Sequence, residues 1–92
     1  MERQSDEGLV ALSSDSRHLV IPYNNGSVVI WDTQTGQKSI SLCGHTEEVV
    51  EALYNPDESQ IATSSYDGTV KIWEASTGRL LFTLVLPGSN SQ

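Results

Sequence analysis

A chain of 92 residues is one small domain that buries only about 60 to 65% of the surface its unfolded form exposes, too little for a large enzyme core. Its 37% apolar content is spread in short runs between Gly, Asn, Asp, Ser and Pro, which suits strands and turns and argues against disorder. Twelve Asp and Glu against five Lys and Arg give a formal charge of -7; that balance repels phosphate backbones and anionic lipid headgroups, so neither nucleic acid nor a membrane surface is an expected partner.

Residues 1–7 are polar and read as a flexible N-terminus, and the first twenty residues lack the basic start and long apolar stretch of a secretory signal. The chain is therefore expected inside the cell, in cytoplasm or nucleus. A first unit then runs over residues 8–43. It offers four short segments, "LVAL", "HLVIPY", "SVVIW" and "KSISL", separated by the bends "SSDSR", "YNNG" and "DTQTG". Asn25-Gly26 accepts positive φ and predicts a tight hairpin turn. Pro22 lies inside a central strand, where its missing N–H implies a bulge or a lost ladder bond. His18 reads as a surface or strand-edge residue. Asn25-Gly26-Ser27 has the glycosylation pattern but is read as a turn. The lone Cys43, at a strand end between Leu42 and Gly44, can neither close an intrachain disulfide nor build a zinc site, and is expected to be a small buried thiol.

A second unit over residues 44–86 repeats the plan with "VVEALY", "QIATSS", "TVKIW" and "RLLFTL", bent at "NPDES", "YDGT" and "EASTG". Glu47, Glu48 and Glu51 read as a solvated acidic rim, because no loop supplies the six to eight oxygens calcium takes. Residues 87–92 are polar again and read as a flexible C-terminus. Laying residues 8 to 42 over 50 to 84 without a gap matches Asp15 with Asp57, Gly26 with Gly68, Trp31 with Trp73 and Gly36 with Gly78. A gapless period of 42 positions falls in the range of about 40 to 45 residues for four-stranded propeller blades, and outside that of helical repeats. The third strand of each unit is nearly continuous in apolar residues, so both its faces should be covered, as stacked blades would cover them.

On these residues the chain resembles the WD-repeat (WD40) β-propeller family: the 42-residue period, Gly44-His45, "YNPDES" at 54 to 59, "SSYDGTVKIWE" at 64 to 74 and "IWD" at 30 to 32. The resemblance implies an all-β fold of two four-stranded antiparallel meander blades, too few to close a ring of about four to eight blades alone. It also implies a hydrogen-bonded tetrad in the second unit made of His45, Thr63, Asp67 and Trp73. A neutral imidazole can donate to the carboxylate and accept from the hydroxyl, which in turn accepts from the indole. The first unit keeps Trp31 but holds Asn25 and Ile21 at the carboxylate and hydroxyl positions, so its tetrad cannot form and it should be the looser blade.

His45, Asp67 and Thr63 also contain the residue types of a hydrolytic triad. The structural reading prevails, since the Trp completes a known network and a threonine inside a strand is poorly placed to attack. Neither catalysis, a metal nor a cofactor is expected. The expected function is a protein-binding scaffold within a multiprotein assembly, with a protein or peptide partner. The alternative is an accessory segment of a larger enzyme or signalling protein whose chemistry lies elsewhere. The resemblance places partner contacts at Tyr66, Glu48, Val50 and Asn24, with Tyr66 foremost because an exposed ring with a polar tip offers large contact area. Further blades are expected, from a longer chain or by association of copies.

Overall fold

The computed structural model describes residues 9–86. Within them eight strands follow one another: β1 (Ala11–Leu12), β2 (His18–Pro22), β3 (Val28–Asp32), β4 (Gln37–Leu42), β5 (Val49–Tyr54), β6 (Gln60–Ser65), β7 (Thr69–Glu74) and β8 (Leu80–Val85). They form two four-stranded sheets, β1-β2-β3-β4 and β5-β6-β7-β8, with each strand antiparallel to the next. The expectations for residues 1–7 and 87–92 lie outside the described residues.

The turn chemistry explains the meander. At the tip between β2 and β3 the Tyr23 amide donates to Ser27 O (2.9 Å) and the Gly26 amide to Tyr23 O (3.3 Å). Gly26 has φ 94° and its counterpart Gly68 has φ 86°, so glycine supplies the left-handed step that closes a three-residue hairpin loop. The Asn25 and Asp67 side chains complete these turns by accepting the amide two residues on, at 3.0 and 2.9 Å. The bends between β1 and β2 and between β5 and β6 need the same left-handed step, yet there Ser16 (φ 61°) and Glu58 (φ 63°) take it.

The two sheets pack face to face. Register places Ala11, Val20, Ile30 and Ile40 in one row across the first sheet, and Val28 and Leu42 beside them. This face meets Val49, Ala52, Ile61 and Trp73 of the second sheet, with Tyr54 and Ala75 at the margin, in a single apolar core. Val28, Val29 and Ile30 are all buried, but only one face of β3 meets another sheet among the described residues; Val29 lies on the other face, with Ile21 and Trp31. In β7 only Trp73 is buried, because the second sheet's outward face has nothing stacked on it among the described residues. That face carries the corresponding row Leu53, Ala62, Ile72 and Phe82, and its end members Leu53 and Phe82 are 52% and 58% exposed.

Pro22 shapes the first sheet in a specific way. The β2–β3 register runs through it without a shift, because the Tyr23 amide points to β3 and strand alternation turns the Pro22 nitrogen toward β1. Register would put Leu9 opposite Pro22, but Pro22 has no N–H to offer. Leu9 pairs instead with the second sheet: its amide donates to Val50 O (3.0 Å) and its carbonyl accepts from the Ala52 amide (3.2 Å), as a parallel bridge to Glu51. The lost ladder bond therefore shortens β1 to two residues and ties the two sheets together. Cys43 departs from expectation. It is exposed, because the chain leaves β4 after the buried Leu42 and crosses toward β5 over the surface.

Candidate functional site

The second sheet assembles four polar side chains from four segments. Gly44-His45 lies on the approach to β5, Thr63 in the centre of β6, Asp67 in the β6–β7 turn and Trp73 near the end of β7. The Trp73 indole N–H donates to Thr63 Oγ1 (2.9 Å), Thr63 Oγ1 lies 2.7 Å from His45 Nε2, and His45 Nδ1 lies 3.0 Å from Asp67 Oδ2. An indole can only donate and an ionised carboxylate can only accept, so with a neutral imidazole Thr63 O–H donates to Nε2 and Nδ1–H donates to Asp67. The four expected members are thus brought together as one chain. Thr63 is 1% exposed and His45 and Trp73 are buried, and no buried side-chain polar atom among the described residues lacks a partner.

Asp67 anchors the far end of this chain. Its Oδ1 accepts from the Thr69 amide (2.9 Å) and hydroxyl (2.6 Å), and its Oδ2 accepts from the Thr46 amide (3.1 Å) as well as from His45. Burial alone would raise its pKa, but the hydrogen bonds from the Thr69 hydroxyl, from His45 and from the two amides outweigh it and hold the carboxylate well below its usual range. The Thr69 hydroxyl also lies 3.2 Å from His45 Nδ1. These contacts describe a brace. Thr63 Oγ1 already serves the indole and the imidazole, is buried, and has no approach for a substrate.

In the first sheet the missing tetrad is replaced in part. Asn25 Oδ1 accepts from the Ser27 amide (3.0 Å) and hydroxyl (2.8 Å), reproducing what Asp67 Oδ1 does for Thr69. Among the described residues nothing reproduces the link to a histidine. Trp31 Nε1 instead donates to Tyr23 Oη (2.9 Å), and Lys38 Nζ stands 5.8 Å from the centre of the Trp31 ring. Sequence reasoning missed Tyr23. The available signal was its place two residues after Ile21, on the same strand face as the absent hydroxyl. Trp31 stays half-buried, whereas Trp73 is 1% exposed.

The residues expected to meet a partner share one rim. The Tyr66 amide and the Ser65 hydroxyl both donate to Glu48 O, at 3.0 and 2.9 Å, so the β6–β7 turn is fastened to the segment entering β5. The Val49 amide donates to Tyr23 O (3.3 Å), which brings the turn bearing Asn24 alongside. Tyr66 is 55% exposed. Glu48, Val50 and Asn24 are half-buried, and the Val50 carbonyl is taken by Leu9. At the opposite rim a cleft of about 360 Å³ lies between the sheets, lined by Ser13, Asp15, His18, Tyr54 and Glu58 among others. Its carboxylates are engaged: Asp15 accepts from the Ser13 hydroxyl and the Arg17 amide, and Glu58 accepts from the Ser14 amide across the sheets (2.9 Å). His18 is half-buried there at the start of β2. No described helix is long and apolar enough to cross a membrane.

Comparison with known proteins agrees with this geometry. The family model described as "WD domain, G-beta repeat" matches residues 36–74, which contain all four tetrad members. Among curated relatives, "WD repeat-containing protein 41" of Mus musculus is 33% identical over 61% of this chain and 14% of its own length. "Set1 complex component swd1" of Schizosaccharomyces pombe is 31% identical over 84% of this chain and 19% of its own length. "Ribosome biogenesis protein YTM1" of Meyerozyma guilliermondii is 36% identical over 83% and 16%. The chain therefore spans less than a quarter of the length of these relatives. A solved structure described as "Crystal structure of RRP9 WD40 repeats" superposes with a TM-score of 0.76 at 27% identity, covering 82% of this chain and 23% of that one. With two meander sheets at a 42-residue period, the tetrad of the second sheet and these matches, the chain belongs to the WD-repeat (WD40) β-propeller family.

Proposed function

We propose that this pair of blades is a protein-binding scaffold module within a multiprotein assembly, without chemistry of its own. Its contact region is the rim that carries Tyr66, Glu48, Val50 and Asn24. The observation that carries the reading is Tyr66: a tyrosine that is 55% exposed sits on a turn whose next residue, Asp67, accepts four hydrogen bonds. An aromatic ring held on a fixed turn contributes contact area at little entropic cost. Glu47 and Glu48 flank it on the facing segment, so a partner that brings a basic side chain with an apolar stem matches both the ring and the charge. Relatives named as a component of the Set1 complex and as a ribosome biogenesis protein support a scaffold role in large assemblies. An intracellular setting, nuclear or cytoplasmic, fits that reading, and the charge of -7 disfavours nucleic acid and anionic membranes as partners.

The test is a peptide array rich in Lys and Arg sequences, probed with the chain and with Tyr66→Ala. The reading expects selective capture that falls about tenfold or more in the variant while the melting temperature stays within about 1 °C. A variant that loses binding and stability together would mark Tyr66 as a packing residue and contradict the proposal.

A further inference from the structure

Each chain exposes a second instance of both halves of the contact that it already makes internally. Inside the chain, Val20, Ile30 and Ile40 of the first blade are covered by Tyr54, Ile61 and Trp73 of the second. Shifted by 42 positions, the first set becomes Ala62, Ile72 and Phe82, which lie on the second blade's outward face with Leu53. Shifted back by the same amount, the second set becomes Leu12, Leu19 and Trp31, which register places on the first blade's outward face. Leu12 and Phe82 are 53% and 58% exposed.

A glycine pair records the same relationship. A Cβ on Gly78 would stand 2.5 Å from Ile40 Cγ2 and 3.3 Å from Leu42 Cδ2 of the neighbouring blade. Its counterpart Gly36, also left-handed at φ 76°, has nothing within 4 Å of its Cβ position. The counterparts of Ile40 and Leu42 are Phe82 and Leu84, and both are exposed. The strand residues of the two outward faces also differ in charge. Lys38 stands beside Trp31 on the first blade's face, whereas register puts Glu51 and Glu74 on the second blade's face.

We propose that copies of this chain pair head to tail, with the outward face of the second blade of one copy seated on the outward face of the first blade of the next. Phe82 and Leu84 of one copy then fill the space open at Gly36 of the other, as Ile40 and Leu42 fill it at Gly78. The occupant is a second copy because the contact continues the intrachain interface, with every residue supplied at its repeat position. A heterologous contact that reuses one rotation closes into a ring where that rotation divides the circle, and otherwise runs on as an open filament.

Light scattering after size-exclusion chromatography tests this on the 92-residue chain. Three variants accompany it. Phe82→Glu spoils the second blade's face, Leu12→Glu spoils the first blade's face, and Gly36→Asn keeps a residue that tolerates positive φ while filling the open space. All three positions face solvent or open space in the single chain, and an unchanged circular dichroism spectrum confirms the fold. The expected result is a defined multimer of the 10.0 kDa chain that each variant reduces to monomer. A wild-type monomer at millimolar concentration, the outcome if blades of another polypeptide cover these faces, overturns the proposal. A dimer that survives Leu12→Glu and Gly36→Asn but not Phe82→Glu overturns it as well, since that pattern is face-to-face pairing of second blades.

Discussion

Trp73 Nε1 and Thr63 Oγ1 stand 2.9 Å apart with both side chains buried, and that single hydroxyl also serves His45 Nε2 at 2.7 Å. One oxygen therefore joins two donor and acceptor groups that have no access to water. Thr63→Val keeps the shape and removes the oxygen, leaving the indole N–H and the imidazole nitrogen orphaned. An unsatisfied buried polar group costs about 1 to 3 kcal/mol, so the variant should lose about 2 to 4 kcal/mol in urea unfolding at fixed protein concentration. Thr63→Ser keeps the hydroxyl and should lose much less.

Blade one offers the matched control. Trp31 donates to Tyr23 Oη at 2.9 Å, but the half-buried Trp31 can turn to water when that oxygen is removed. Tyr23→Phe should therefore cost only about 0.5 to 1 kcal/mol. A loss equal to that of Thr63→Val would show that blade one is braced as firmly as blade two.

Acid should weaken the brace through Asp67. Its folded-state pKa is depressed, chiefly by Thr69 and His45 acting against burial, so the stability it confers is fully present above the unfolded value of about 3.9. That stability is lost as pH falls below this value toward the folded pKa. Asp15, Asp32 and Asp57 are held low in the same direction, first by the Ser13 hydroxyl, the Gln34 amide and the Ser59 hydroxyl respectively. The diagnostic is therefore a difference: the slope of unfolding free energy against pH between about 2 and 4 should be shallower in Asp67→Asn than in the wild type. Parallel slopes would contradict the assignment.

The glycine pair yields a prediction within the single chain. Gly36→Ala and Gly78→Ala both force an L-residue into positive φ, at a cost of about 1 kcal/mol. Only at position 78 does the new Cβ press on Ile40 at 2.5 Å. Gly78→Ala should thus be the more destabilising by about 1 to 3 kcal/mol, as overpacking usually is, when the pair is compared by thermal melting in a Phe82→Glu background that keeps chains apart.

The repeated phrases carried most of the fold. Trp31 and Trp73 at one spacing, each between two glycines, fix the strand, the turn and the period together, because register in a half-buried sheet admits no one-residue slip. The tetrad was legible through the resemblance to the WD-repeat family, which implies a network at the positions that His45, Thr63, Asp67 and Trp73 occupy. Tyr23 was not legible. Its hydroxyl reaches Trp31 across a strand pair, and that reach depends on register and ring length, which spacing does not state. Cys43 was read as buried from its small apolar character, while its exposure follows from where β4 ends. Ser16 and Glu58 also escaped, because neither residue type announces a left-handed backbone. The switch of Leu9 from β2 to β5 needed the partner strand in view before the consequence of Pro22 could be drawn.

Hydrogen exchange of the two indole N–H protons, followed by NMR on the wild-type chain, tests the central claim most directly: a braced second blade beside a looser first one. The Trp73 indole proton should exchange only through global unfolding, with a free energy that tracks the urea-derived stability. The Trp31 indole proton should exchange faster by at least about tenfold through local opening of blade one. Equal protection of the two protons, or stronger protection at Trp31, would contradict the account.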